Sequence, residues 1–207
     1  MFQIYSPNML KTYELCPKKF YFRYIKNISM PIDDEIFELG KNIHAMASYY
    51  LRKENITKME QALNEREKVI WEYLKNIKYF SYETVNTEYN LSVKLGEYFF
   101  SGRLDALVKE NDKYYILDYK TGSAPKNAKY DYQTMIYLLA VSAFYKTPNV
   151  TFVYLDLKNK SEVCIELNEN LIKEYRDKLI KTINDIDKSD FNKMNDKCNC
   201  EYDIICY

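Results

Sequence analysis

Apolar residues recur along this chain with two different periods, and the changes of period mark out its elements. Ser6-Pro7 reads as an N-cap followed by proline at the first helical position, opening a helix through Met9, Leu10 and Tyr13 to about Leu15. Pro17 restarts a short helix over Lys18–Ile25, whose aromatic and basic residues suit either packing or a nucleic-acid backbone. Ile36–Arg52 follows as a helix with Phe37, Ile43, Ala47, Tyr50 and Leu51 roughly on one side. Thr57 and Glu60 form a candidate capping box for a helix carrying Met59, Leu63, Ile70, Leu74 and Ile77 at helical spacing.

The period then shortens to two. Glu83–Leu95 alternates as a strand, Gly96-Glu97 turns the chain, and Tyr98–Lys109 returns as a second strand. A turn at Asn111-Asp112 leads into a third, Lys113–Lys120, and Thr121–Pro125 is a loop. A helix over Lys129–Tyr145, a strand over Asn149–Leu157 and a helix over Leu171–Ile186 complete the pattern. The last carries Ile172, Tyr175, Leu179, Ile183 and Ile186 as its apolar positions, and Cys164 reads as a core position of a strand-like stretch. Strand, helix, strand is the crossover of a mixed α/β sheet.

Composition narrows this to an ordered, globular chain. At 207 residues and 47% hydrophobic it is long enough for one domain with a substantial core. A formal net charge of +0 argues against indiscriminate coating of nucleic acid, though not against a local basic groove. No apolar run is long enough to cross a membrane and no signal peptide is evident, so a cytoplasmic protein with reduced thiols is expected.

The candidate chemistry concentrates between Ser101 and Tyr137. Side chains alternate along a strand, so Asp118 and Lys120 share a face and Tyr119 takes the other. A hairpin partner brings Asp105 beside them. Two carboxylates and an amine at a strand end suit phosphodiester hydrolysis: hard cations prefer oxygen ligands, and Lys120 would orient water or stabilise developing charge. The main-chain carbonyl of Tyr119 would be a further ligand. Gln133 and Tyr137 stand one helical turn apart, placed to bond phosphate or stack on a base. Glu88 reads as a solvent-facing glutamate, with a metal ligand as the alternative.

Taken together, GRLD (Gly102–Asp105), ILDYKTG (Ile116–Gly122) and Q-x-x-x-Y (Gln133–Tyr137) closely resemble the PD-(D/E)XK nuclease superfamily, within it the RecB-type exonuclease branch. The resemblance runs from Ser6 to the last cysteine, with the motifs in the expected order. It implies a single nuclease domain over 1–207 with a restriction-endonuclease-like core, a mixed central β-sheet flanked by helices. It also implies that His44, in Gly40-Lys41-Asn42-Ile43-His44, joins Asp105, Asp118 and the Tyr119 carbonyl around Mg²⁺ or Mn²⁺. Asp105, Asp118 and Lys120 would then be catalytic, with Gln133 and Tyr137 lining the DNA path.

Three of five cysteines crowd the last ten residues, where thiolates so close suggest a soft-metal site. Cys16 is the natural fourth ligand beside Cys198, Cys200 and Cys206. The same layout occurs in RecB-like nucleases with a 4Fe–4S iron–sulfur cluster, including the CRISPR-associated branch; Cys198-x-Cys200 departs from it by one residue, and structural zinc is the competing reading. Such a cluster would join the N- and C-termini.

The activity expected from this resemblance is a metal-dependent DNA exonuclease acting on single strands or frayed ends, in CRISPR adaptation or recombinational repair. An integrase or helicase would be its partner, since the chain has no P-loop. The alternative is a binding module of nuclease-derived fold that holds DNA ends or a partner without cutting them.

Overall fold

The computed structural model describes residues 4–30, 35–192 and 200–206, and the side chains of all of these except 35–38. Near the N-terminus, two residues, β1 (Ile4–Tyr5), precede α1 (Pro7–Leu15). Ser6 Oγ accepts from Met9 N at 3.3 Å, the cap that Ser-Pro predicts. Cys16 is extended (φ −161°, ψ 105°), as the residue before proline should be, which ends α1. Its Sγ then accepts from Lys19 N at 3.4 Å and starts α2 (Pro17–Phe20), which runs on as a π-helical turn, Tyr21–Ile25. α3 is Glu35–Leu51. Of its expected apolar side, Ile43, Ala47 and Leu51 are buried and Tyr50 is half-buried, while Phe37 lies outside the described side chains.

One helix was expected after Thr57; two form, α4 (Thr57–Ala62) and α5 (Glu65–Lys75). Leu63 turns its side chain into the core and takes an extended ψ of 134°. The capping box belongs to Asn64 and Glu67 instead, with bonds of 3.0 and 2.9 Å between each side chain and the other's amide. Glu60 accepts from Trp71 Nε1 at 2.7 Å and so ties α4 to α5.

The sheet is mixed. Its long hairpin is β2 (Glu83–Leu95) with β3 (Tyr98–Glu110), joined at Gly96, whose φ of +61° suits glycine. β4 (Lys113–Lys120) pairs antiparallel with β3, and β1 pairs parallel with β3 at Phe99 and Phe100. α6 (Tyr132–Tyr145) crosses over to β5 (Val150–Asp156), which is parallel to β4; β6 (Ser161–Glu166) closes the edge and α7 (Glu169–Asp187) follows. Cys164, expected in the core, is exposed on this edge strand, with Tyr79 Oη 3.6 Å from its sulfur.

Two cores lie on the two faces. Phe20, Leu104, Ile136, Phe152, Leu179 and their neighbours pack α1, α6 and α7 on one; Ile43, Trp71, Leu117, Tyr119 and Val153 pack α3 and α5 on the other. Each fully buried side chain of this size is worth about 1.5–3 kcal/mol. Alternation slips at one level of the hairpin. Leu104 joins the first core and Ala106 the second; on β2, Thr87 bonds to Ser48 of α3 at 2.9 Å while Tyr89 packs on the first core. Between them stand Asp105 and Glu88, opposite each other in the register and re-aimed by this irregularity.

Candidate active site

The β3–β4 ladder ends at Ala106↔Leu117, so the next opposed positions are Asp105 and Asp118. There the strands part, and the Tyr119 amide donates not to a main-chain carbonyl but to Asp105 Oδ2, at 2.9 Å. His44 comes in from α3 and bridges both strands. Its Nδ1 lies 3.2 Å from Asp105 Oδ1, and its Nε2 3.0 Å from the Tyr119 carbonyl. Two acceptors on two ring nitrogens suit the doubly protonated imidazolium, which donates from both. Burial opposes that charge, but the Asp105 carboxylate, the Tyr119 carbonyl and Asp118 outweigh it and hold the His44 pKa above its usual value.

Asp118 is buried on the α6 side of β4. Gln133 Nε2 donates to its Oδ1, and Lys120 Nζ lies 2.8 Å from Oδ2 while also donating to Gln133 Oε1 at 3.3 Å. The Lys120 ammonium thus pairs directly with Oδ2, the oxygen that Gln133 leaves. Burial pushes the Asp118 pKa up to about 6, helped by Asp105, while Lys120 and His44 pull the other way.

Gln133 therefore reaches the two catalytic candidates on β4 rather than open space. Tyr137, one turn further along α6, is buried and donates to the Arg103 carbonyl at 2.9 Å, bracing β3. It also explains Gly102: a Cβ there would meet Tyr137 Cε1 at 2.6 Å and Cζ at 2.9 Å. Neither Gln133 nor Tyr137 lines the cavity in front of the site.

That cavity, about 770 Å³, opens between α3, the hairpin and the loop after Lys120. Lys41, Arg52, Arg103 and Lys120 put cations on its wall, and Tyr49 offers an aromatic face. Three of these cations are paired, Arg52 with Glu54, Arg103 with Glu88 and Lys120 with Asp118, so the wall mixes both signs of charge. The donor atoms that approach one another most closely, all within 4.8 Å, belong to His44, Glu88 and Asp105; Asp118 falls outside that group. Glu88 was not among the primary expectations. The signal for it was in the turn: with Leu95 opposite Tyr98, counting back along the hairpin puts Glu88 across from Asp105.

The cysteines come together from the two ends of the chain. Burial pushes the Cys206 thiol pKa up, and the neighbouring Cys200 and Cys16 add to the rise. Lys19 and Arg23 hold Glu201 at 2.7 and 3.9 Å, and Tyr202 donates to the Ile28 carbonyl at 2.8 Å and stacks on Phe22. Cys198 lies outside the described residues.

Comparison with known proteins agrees with this geometry. The chain is 29% identical over 136 residues to the CRISPR-associated exonuclease Cas4 of Francisella tularensis subsp. novicida (strain U112), a match covering 61% of this chain and 66% of that one. It superposes on the crystal structure of SSO0001 with a TM-score of 0.53 at 16% identity, covering 100% of this chain and 86% of the other. A Eubacterium rectale protein named "putative exonuclease" gives a TM-score of 0.60 at 11% identity, with 96% and 86% covered. These two likenesses show the fold. Residues 4–207 match the family model of the PD-(D/E)XK nuclease superfamily, and with motifs and fold in accord, the chain belongs to that superfamily.

Proposed function

We propose that this nuclease is a metal-dependent DNA exonuclease that hydrolyses phosphodiester bonds of single strands or frayed ends. The observation that carries this reading is the convergence of His44, Asp105 and the Asp118–Lys120 pair at the edge of a cleft lined in part by cations. Carboxylate, carbonyl and imidazole donors suit Mg²⁺ or Mn²⁺. The fit is supported by the chemistry of the donor set, in which the Asp105 carboxylate, the His44 imidazole and the Tyr119 carbonyl meet at one strand end. His44, Asp105, Asp118 and the Tyr119 carbonyl would hold the ion, which when bound supplies Lewis acidity at the scissile phosphate.

The chain's own residues do the rest. Lys120 brings an ammonium beside Asp118, positioned to orient water or offset charge developing on the phosphate. Gln133 fixes both groups of that pair. Arg52, Lys41 and Tyr49 give the cleft the charge and aromatic face that suit a nucleic-acid strand. Gln133 and Tyr137 serve the DNA path from behind, by holding β4 and β3 in place, rather than by touching the strand.

Cys16, Cys200 and Cys206, completed by Cys198, are proposed to bind a 4Fe–4S cluster, with zinc as the competing occupant. The name of the Francisella relative favours a place in CRISPR adaptation, with an integrase as partner, over recombinational repair with a helicase. No described helix is long and apolar enough to cross a membrane, in keeping with work on DNA in the cytoplasm.

The test is digestion of end-labelled single-stranded, duplex and overhang DNA with Mg²⁺ or Mn²⁺, comparing wild type with Lys120→Ala. Metal-dependent shortening of single strands that Lys120→Ala loses is the expected result. A cluster-loaded wild type that cuts nothing with either ion leaves the non-cleaving binding module in its place. Iron, sulfide and visible absorbance in the purified protein test the cysteine assignment, and colourless protein with stoichiometric zinc overturns it.

A further inference from the structure

Glu88 stands between Arg103 and the His44–Asp105 pair. Its Oε2 lies 3.0 Å from Arg103 Nε, and one of its carboxylate oxygens lies within 4.8 Å of donor atoms of both His44 and Asp105. Its backbone is also unusual. Glu88 has a φ of 50°, and it is the one described non-glycine residue inside a strand with a positive φ; the others fall at turns, helix ends or loops. Left-handed backbone is disfavoured for glutamate, and here it turns the side chain out of the β2 alternation and towards the cleft. Arg103 is the more exposed partner: its side chain is 66% exposed on the cleft wall, against 26% for Glu88, while its carbonyl accepts from Tyr137.

We propose that Glu88 is a ligand of the divalent cation and that Arg103 competes for it. Without cation, the guanidinium neutralises Glu88 beside the other carboxylate, Asp105. When a divalent ion takes Glu88, Arg103 loses its counter-ion, is repelled by the ion, and becomes available to a phosphate oxygen of a strand in the cleft. Guanidinium matches phosphate geometry well, so the released group gains a partner of the right shape. Cation and strand then bind with positive coupling, and linkage requires each to strengthen the other by the same factor. This inference rests on the nuclease reading above and adds to it a ligand and an order of loading.

The experiment uses the full chain, with Mn²⁺ as the probe and no DNA. Mn²⁺ affinity is measured by electron paramagnetic resonance of the free ion for wild type, Glu88→Gln, Arg103→Ala and the double variant. Glu88→Gln should weaken Mn²⁺ by about tenfold or more. Arg103→Ala should tighten it by about two- to fivefold, the scale of an exposed ion pair. In the Glu88→Gln background that tightening should shrink to the small direct repulsion between guanidinium and ion, because the larger part acts through Glu88. Single-stranded DNA affinity is then measured with and without Ca²⁺. Ca²⁺ should tighten binding by wild type and much less by Arg103→Ala, even though that variant still takes up the ion.

Wild-type Mn²⁺ affinity in Glu88→Gln, alongside wild-type protein that binds Mn²⁺ and cuts, sinks this inference and leaves the nuclease reading standing. Wild type that binds no Mn²⁺ sinks both. If Arg103→Ala changes Mn²⁺ affinity equally in both backgrounds, or Ca²⁺ tightens DNA as strongly on Arg103→Ala as on wild type, the competition does not exist. Arg103→Ala alters an exposed side chain, so it reports even if Glu88→Gln folds poorly.

Discussion

The two groups of chemically active side chains in this molecule are built in contrasting ways. His44, Glu88, Asp105, Asp118 and Lys120 come from α3, β2, β3 and β4, and their places follow from sheet register and from packing on both faces. Each is held by protein partners: Asp105 by the Tyr119 amide, Asp118 by Gln133, His44 by two acceptors. Cys16, Cys200 and Cys206 come from opposite ends of the chain, and the contacts that join those ends include the ion pairs of Lys19 and Arg23 with Glu201 and the buried Tyr202, which stacks on Phe22 and donates to the Ile28 carbonyl. Exposed ion pairs of that kind contribute about 0–1 kcal/mol each. The first group is held by protein partners alone, whereas the second, on the proposed reading, would gain further order from a metal group held by its thiolates.

The sharpest way to break this contrast is to remove one member of each. Asp105→Ala should abolish cleavage, a loss of roughly a thousandfold or more, while the protein stays folded, because the sheet and both cores remain and only the Tyr119 amide and His44 lose a partner. Cys206→Ala should do the reverse: Tm falls by roughly 5 °C or more, a loss of about 2 kcal/mol, while each molecule that remains folded still cuts. Thermal melts and single-turnover digestion of the same preparations decide it. An Asp105→Ala protein that aggregates, or a Cys206→Ala protein that melts like wild type, would reverse the assignment of roles.

The same contrast explains what could be read from the letters. Asp118, Tyr119 and Lys120 were assignable to faces because strand alternation is local geometry, and Asp105 followed from a hairpin. Glu88 follows from the same hairpin by counting, yet its re-aimed side chain depends on a backbone slip that no residue type announces. Tyr137 was expected to line the DNA path; only the packing of α6 on β3 reveals that its ring fills the space above Gly102 and its hydroxyl braces Arg103. The helix break at Leu63 was hidden because Thr57 and Glu60 imitate a cap that Asn64 and Glu67 form instead. Cys164 looked buried by alternation, but alternation does not reveal that β6 is the sheet's edge. The long hairpin, the strand after it and the crossover through α6 followed from periodicity, because each rests on a long run of residues, whereas the two-residue β1 did not.

A smaller effect tests the brace behind the first group. Gly102→Ala forces a methyl group against the ring of Tyr137, and overpacking of this sort costs about 1–3 kcal/mol. Replacing Tyr137 with leucine opens that space but loses the bond to the Arg103 carbonyl. The double variant should be less destabilised than the two single losses summed, by about 0.5 kcal/mol or more, and denaturant melts of the four proteins measure this. Strict additivity would mean that Gly102 and Tyr137 do not meet.

The smallest and most specific effect lies in the pH dependence of the metal-free protein. Burial, helped by Asp105, pushes the Asp118 pKa up to about 6 in the folded protein, against an ordinary aspartate value of 3.8. Between those values the folded state holds more protons than the unfolded one, so this group makes stability fall as pH rises from about 4 to about 6. His44, held above 6.5, binds its proton more tightly folded than unfolded; its contribution is complete below 6.5 and is lost as pH climbs through the raised value. Both slopes run the same way. Asp118→Asn should remove the lower one, so that its stability relative to wild type grows across pH 4–6 and then levels off, by an amount on the order of 1–3 kcal/mol in chemical melts. Cys206→Ala, remote from both groups, should shift every point of the wild-type curve and leave its slope over that window unchanged. A flat difference between Asp118→Asn and wild type would mean that the Asp118 carboxylate is better compensated, by Lys120 above all, than its burial beside Asp105 implies.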